Sequence, residues 1–474
     1  MAEVIRVDIC VIGAGSGGLS VAAGASLMGA RVVLIERAKM GGDCLNYGCV
    51  PSKALLAAAH AAESQRTSGR FGIAAYQPEV DFAAVRDHVH GVIAAIAPQD
   101  SVERFEGLGV QVIQAPATFT ARRQIEAGEY RIRAKYFVVA TGSSPAVPPV
   151  PGIDSVPYLT NESIFELDHC PEHLIVLGGG PIGCELAQAH RRLGARVTVL
   201  EMLTLLPKDD PEAADVVRRR LIAEGIEIHE GATAQGIIAD GDGIAVEVER
   251  EGEVERIVGS HLLVAAGRRA NVDGLGLEAA RIRYSPSGIE VDRRLRTSNK
   301  RVFAIGDVAG SLQLTHMAGY HAGIVIRNAL FKLPAKVSLE AIPWVTYTDP
   351  ELAHVGMTED QARDAHGGDM TVLRWPFAEN DRAQAKRQTD GMIKVVVDKK
   401  GRILGATIAG SHAGELILPW VLAIENGLKI GAMAGAVAPY PTLSEVSKRL
   451  AGSYFTPKLF SERTRKLVRF LLKF

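Results

Sequence analysis

Residues 7–36 read VDICVIGAGSGGLSVAAGASLMGARVVLIE, and their pattern decides the fold. The apolar run VDICVI ends in glycines, Leu19 to Gly29 has helical composition, and RVVLIE is a second apolar run. This order predicts a βαβ unit with Gly13, Gly15 and Gly18 as GxGxxG between strand and helix. Gly13 permits the tight turn, Gly15 lets the backbone approach a pyrophosphate, and Gly18 allows close packing of helix on strand. Glu36, at the end of the second strand, is placed to accept ribose hydroxyls. The stretch therefore reads as a dinucleotide site.

The same grammar returns at residues 173–201, HLIVLGGGPIGCELAQAHRRLGARVTVLE, with Gly178, Gly180, Gly183 and Glu201 in the matching places. A carboxylate there bonds a 2′-hydroxyl and repels a 2′-phosphate. Met202 to Leu206 hold no arginine to receive a phosphate, so NADH is favoured over NADPH. Between the two units, YFVVATGSSPAVPPVPGI (136–153) gives a strand, a glycine turn and a proline-rich crossing, which puts a boundary near Pro148 to Gly152. A matching crossing, HLLVAAGRRANVDGLGL (261–277), precedes the strand RVFAIGD (301–307). The symmetry predicts a first domain over 1–150 that is interrupted by a second over 151–270 and resumes over 271–340. Strands such as MIKVVV and ILGATIAG then mark an α+β unit over 341–456. A chain of 474 residues is long enough for three cores.

Cys44 and Cys49 stand in GGDCLNYGCVPSK (41–53), shortly after the first glycine motif. A glycine turn that runs into Ala54, Leu55, Leu56 and Ala57 places these thiols near a helix N-terminus, where the dipole and free N–H groups favour the thiolate. Cys10, Cys170 and Cys184 have no metal-ligand spacing and read as packing residues, so no metal site is expected. Five cysteines in all fit a reducing compartment. With 53 basic and 54 acidic residues the net charge is −1, which offers no field for nucleic acid. No apolar run reaches the ~18 residues of a membrane span, and Glu3 and Arg6 lead into a strand and not a signal peptide; the expectation is a soluble, cytoplasmic protein.

Taken together, GAGSGG, GGDCLNYGCVPSK, ATGSSP, GGGPIGCE, AAGRRANVDGLGLE, FAIGDVAG and PTLSE resemble the class I flavin-dependent pyridine nucleotide-disulfide oxidoreductases over essentially the whole chain. That family includes dihydrolipoamide dehydrogenase, glutathione reductase and mercuric reductase. The resemblance implies an α/β fold with two Rossmann-like dinucleotide-binding domains and a C-terminal α+β dimerisation domain that makes a homodimer. It implies FAD on the first unit, where Gly42, Thr141, Gly142 and Asp307, near the ribityl chain, join Gly13, Gly15, Gly18 and Glu36. NAD(H) would lie on the second, with Gly267 beside Gly178, Gly180, Gly183 and Glu201. By the same resemblance, hydride passes from NADH to FAD and two electrons continue to a Cys44–Cys49 disulfide. Cys49 is then the flavin-facing thiol, and Cys44, nearer the entrance, attacks a small disulfide substrate. Lys53 lies by the flavin and Glu185 pairs with it.

One position departs from the pattern. The family's disulfide reductases carry a histidine two residues before the threonine of the PTxSE stretch, supplied across the dimer interface and oriented by a glutamate. Here APYPTLSE puts Tyr440 in that place and keeps Glu445. Tyrosine, with a pKa near 10, is a poor base beside a histidine near 6.5. Tyrosine in this context is what mercuric reductases have, and a metal held by two thiolates needs no general base. Yet no cysteine follows Cys184, so the terminal pair of those enzymes is missing. Asp43 and Tyr47 also differ from the threonine and valine common in the family, and His412 in SHAGELI is expected to be structural.

Residues 457–474, PKLFSERTRKLVRFLLKF, extend past the family's usual end. Leu467, Phe470, Leu471 and Phe474 share one face of a helical wheel, opposite Lys466, Arg469 and Lys473. Docking of this basic amphipathic helix on the chain's own dimerisation unit is the first expectation. Peripheral contact with the inner face of an anionic membrane is the second. For function, the leading expectation is an NADH-dependent flavoprotein reducing a small disulfide. A soft-metal reductase or a diaphorase with a quinone or dye as two-electron acceptor is the alternative, and a membrane-docked protein without turnover is the reading from another class.

Overall fold

The computed structural model describes residues 3–310 and 312–474. Its first sheet runs in the order Val110–Gln114, Val32–Glu36, Glu3–Ile12, Tyr130–Val139, Gln124–Ala127, Ala117–Ala121, and Val302–Ala304 pairs with the far edge of Tyr130–Val139. The pairs on the side of the first glycine motif are parallel, and the Gln124–Ala127 and Ala117–Ala121 strands are antiparallel. Every residue of Val32–Glu36 is buried, as a parallel strand covered on both faces requires. The helices Ser16–Leu27 and Thr315–Ala329 cover one face through Val21, Ala22, Ile324 and Val325. Val272, Leu275, Ile282 and Ile289 cover the other.

The second glycine motif opens a parallel sheet in the order Glu227–Glu230, Arg196–Glu201, His173–Leu177, His261–Val264. A three-stranded antiparallel sheet, Thr233–Asp240, Gly243–Arg250 and Glu253–Gly259, is added to it. The two crossings run side by side: Ser143–Pro145 pairs antiparallel with Arg268–Ala270, and the N–H of Ala146 donates to the carbonyl of Gly267 at 3.0 Å. The chain thus leaves the first sheet and returns to it at neighbouring points. One core is shared between the parts, because Ala54, Leu55 and Ala59 of the helix Cys49–Arg66 pack with Leu186, Ala187 and Leu193 of the helix Pro181–Leu193.

Beyond residue 342 a five-stranded antiparallel sheet has the order Pro343–Thr346, Glu351–Gly356, Ile403–Gly410, Met392–Asp398, Met370–Pro376. Its core holds the buried Trp420 and Phe377. Charged side chains tie it to the unit that carries the second glycine motif. Lys394 lies 2.7 Å from each of Asp210, Glu212 and Glu359, and Arg192 bonds both Glu224 and Asp349, at 2.6 and 2.9 Å.

The tail is two helices, Thr456–Leu459 and Glu462–Leu471, since Phe460 and Ser461 interrupt it. No residue of Glu462–Leu471 is buried, which corrects the expectation that its apolar face docks on the chain's own last unit. Among the described residues no helix is long and apolar enough to cross a membrane.

Candidate active site

Both glycine turns show the same geometry. Gly13 and Gly178 have φ of +101° and +112°, and a Cβ at either would meet a carbonyl, that of Ala140 or Ala265, at 2.4 or 2.5 Å. A Cβ at Gly18 or Gly183 would lie 1.9 Å from the carbonyl oxygen of Gly13 or Gly178. At Gly15 the nearest neighbour is 3.9 Å away, and at Gly180 and Gly142 there is none within 4 Å, so the backbone there is open to a ligand. The acidic residues also correspond. Glu36 accepts from the N–H groups of Ala14 and Ala38 at 2.6 and 2.8 Å, and Glu201 from those of Gly179 and Leu203 at the same two distances.

A cavity beside the first turn is lined by Gly13, Gly15, Glu36, Gly42, Thr141 and Gly142. This cradle fits an extended dinucleotide such as FAD: its glycines would be filled by any side chain, and two helix N-termini, of Ser16–Leu27 and Gly42–Asn46, border it. Asp307 is bonded by the Ser143 hydroxyl at 2.5 Å, and burial pushes its carboxyl up. Arg268 donates to both the hydroxyl and the carbonyl of Ser143, at 2.7 and 2.9 Å, and pairs with Asp43 at 3.1 Å. Asn161 then bonds Asp43 and the carbonyl of Tyr47, at 3.2 and 3.1 Å. Thr141 and Asn271 exchange bonds at 2.8 and 2.9 Å, which locks the two crossings together. Gly267, at φ +122°, leaves open space at the second crossing.

The thiols stand where two short elements meet. Cys44 lies in Gly42–Asn46, half-buried, and Cys49 is the first residue of Cys49–Arg66, exposed. The Cys49 thiol is lowered to about 6, first by the hydrogen bond from Cys44, then by the Thr315 hydroxyl at 3.3 Å and the charge of Lys53. Cys44 is pushed the other way, up, by its bond to Cys49 and by burial. Lys53 sits one helical turn after Cys49, on the same face. Its ammonium bonds Glu185 at 2.7 Å and lies 4.4 Å from the ring centroid of Tyr347, and the other oxygen of the buried Glu185 accepts from the N–H of Tyr347 at 2.8 Å.

Tyr440 stands apart from this cluster, 70% exposed, with its hydroxyl donating to Asp381 at 3.1 Å. That bond raises its pKa further from neutrality. Among the described residues no group bonds the buried Oε2 of Glu445, at the start of Glu445–Ser453. His412 meets Lys386 at 3.2 Å, and burial together with that cation lowers its pKa. The sequence reading missed Thr315, Tyr347, Arg268 and Asn161. Thr315 begins a helix after the FAIGDVAG stretch, but nothing in its spacing tied it to the thiols.

Comparison with known proteins adds to the geometry. Residues 7–322 match the family described as pyridine nucleotide-disulphide oxidoreductase, and residues 342–451 match the dimerisation domain of the same group. A mercuric reductase of Streptomyces lividans is 36% identical over 95% of this chain and 96% of its own length. A dihydrolipoyl dehydrogenase of Geobacillus stearothermophilus is 37% identical over 94% of this chain and 96% of its own. Among solved structures, the Cu(II) complex of the HOCl-induced flavoprotein disulfide reductase RclA from Escherichia coli superposes with a TM-score of 0.86 at 28% identity, over 95% of this chain and 99% of that one.

Proposed function

The chain belongs to the pyridine nucleotide-disulphide oxidoreductase family and is an FAD-dependent flavoprotein disulfide oxidoreductase; from that premise we propose that it takes electrons from NADH and delivers them through Cys44 and Cys49 to a small disulfide. The observation that carries this reading is the placement of the thiols: Cys49 lies 3.3 Å from the Thr315 hydroxyl and one helical turn before Lys53, which is bonded to Glu185 at 2.7 Å, and Cys44 stands in the adjoining short helix. Bound FAD supplies the two-electron link between nucleotide and dithiol. Gly13, Gly15, Gly18, Glu36, Gly42, Thr141, Gly142 and Asp307 are the residues we assign to holding it. Gly178, Gly180, Gly183, Glu201 and Gly267 are those for the nucleotide. NADH is preferred because Glu201 would repel a 2′-phosphate, and Met202 and Leu203, exposed beside it, offer no cation.

Cys44 attacks a substrate sulfur, its proton passing through solvent to the departing thiolate, which breaks the substrate S–S bond, forms a mixed disulfide and releases the first product thiol. The Cys49 thiolate then attacks the Cys44 sulfur, so the Cys44–Cys49 disulfide re-forms and the second thiolate leaves. Lys53, fixed by Glu185, places a positive charge beside the site, and Tyr440 with Glu445 completes the entrance from the second subunit of a homodimer. Outside the reacting pair, Cys10, Cys170 and Cys184 form no disulfide, which suits work in a reducing cytoplasm.

A second reading, reduction of a soft metal ion, is favoured by one observation: Tyr440 is bonded to Asp381 and raised in pKa, so it gives a leaving thiol no help, and a thiolate-bound metal needs none. The alternative of quinone or dye reduction shares this independence. The test is anaerobic reduction by NADH followed by reoxidation with lipoamide, glutathione disulfide, Hg(II), Cu(II) and a quinone in turn. Disulfide turnover that Cys44→Ser and Cys49→Ser each abolish supports the first reading. Turnover with metal ions alone supports the second, and quinone turnover indifferent to both variants removes the dithiol from the path. Tyr440→His is expected to raise lipoamide turnover by about 10²-fold and leave the metal rates unchanged.

A further inference from the structure

We propose that the helix Glu462–Leu471 and the residues after it form a docking surface for an anionic lipid bilayer. The segment begins eleven residues past the end of the match to the dimerisation domain, at residue 451, and contributes nothing to the redox site. It is a built helix: the Ser461 hydroxyl accepts from the N–H of Thr464 at 3.3 Å and caps its first turn. Leu467, Val468, Phe470, Leu471, Leu472 and Phe474 are each between 47% and 96% exposed. At 100° per residue these six occupy one broad arc, interrupted only by Arg463 in the first turn, and Arg465, Lys466, Arg469 and Lys473 occupy the other. Phe470 and Phe474 meet edge to face at 5.4 Å and give the apolar arc an aromatic rim.

Charge decides the occupant. The segment 462–474 carries five basic side chains against the single carboxylate of Glu462. A second copy would bring an equally basic helix against this one, and like charges at that spacing repel. An anionic bilayer satisfies both halves at once, its headgroups taking the cations and its acyl boundary the leucines and phenylalanines. Ten helical residues rise about 15 Å, half of a ~30 Å hydrocarbon core, so the helix lies along the surface and does not span.

The experiment centrifuges the full-length flavoprotein with vesicles of phosphatidylcholine, alone or mixed with phosphatidylglycerol. The protein is expected to pellet only with the mixed vesicles and to be released by salt. The pairs Phe470→Glu with Leu471→Glu, and Lys466→Glu with Arg469→Glu, should each weaken partitioning by about tenfold or more while NADH oxidation is unchanged. No pelleting with the mixed vesicles, or equal pelleting of wild type and both variants, overturns the proposal. So does a fall in oligomer mass in the first variant, which would assign the face to a second copy.

Discussion

At the scale of single residues, the chemistry turns on where one proton rests. Thr315 lies 266 positions from Cys49 in sequence and 3.3 Å from it in space. A hydroxyl bond to a thiolate is worth about 1.5–3 kcal/mol, or roughly one pKa unit or more at 1.36 kcal/mol each. Because the Cys49 pKa is lowered to about 6, its thiolate persists above that pH and is lost as pH falls through it. Thr315→Val should move the midpoint of iodoacetamide alkylation of the reduced enzyme upward by about one unit, and Thr315→Ser should restore it. An unmoved midpoint in the valine variant would remove Thr315 from the site. The thiols, Lys53 and Glu185 were legible in sequence because their spacing lies within one motif or its repeat. Thr315 and Arg268 were not, since what brings them in is the return of a distant strand or crossing to the first sheet.

At the scale of elements, the strand, glycine turn and helix that begin each dinucleotide unit were readable, because only glycine satisfies the positive φ and the close carbonyl contacts at these turns. The antiparallel sheet Thr233–Gly259 was not, as its mixed apolar and charged residues give no run comparable to the buried parallel strands. Helix Glu462–Leu471 was visible in its periodicity, yet the surface it faces was misjudged, because periodicity states which side is apolar and not what lies against it. The tight turns also yield a separable prediction. Gly183→Ala puts a Cβ against the Gly178 carbonyl and costs about 1–3 kcal/mol locally. The purified variant should keep its flavin absorbance and show weakened NADH binding by titration. Loss of flavin together with nucleotide binding would mean that the two turns are not independent.

At the scale of the whole molecule, buried charges decide how the last sheet holds the unit with the second glycine motif. Lys394 stays charged although burial opposes it, because Asp210, Glu212 and Glu359 surround it. Lys394→Met leaves Asp210 buried without its cation and should cost about 3–5 kcal/mol, read as a lower unfolding midpoint in denaturant. The hydrogen bond from Arg374 is the chief cause that lowers Glu212 to about 2, so its contribution is present above the ordinary carboxylate range and fades as pH falls from about 4.5 toward 2. Wild-type stability should therefore drop across that window, and less so in Glu212→Gln. No such pattern identified these partners in advance, since each lies on a different element. The paired crossings at Ser143–Pro145 and Arg268–Ala270 carry a last consequence. Everything between them enters and leaves through that one pairing of strands, so a different unit can be spliced in there without rethreading the first sheet. The inserted unit cannot simply be removed, because Ala54, Leu55 and Ala59 beside the thiols would lose their cover.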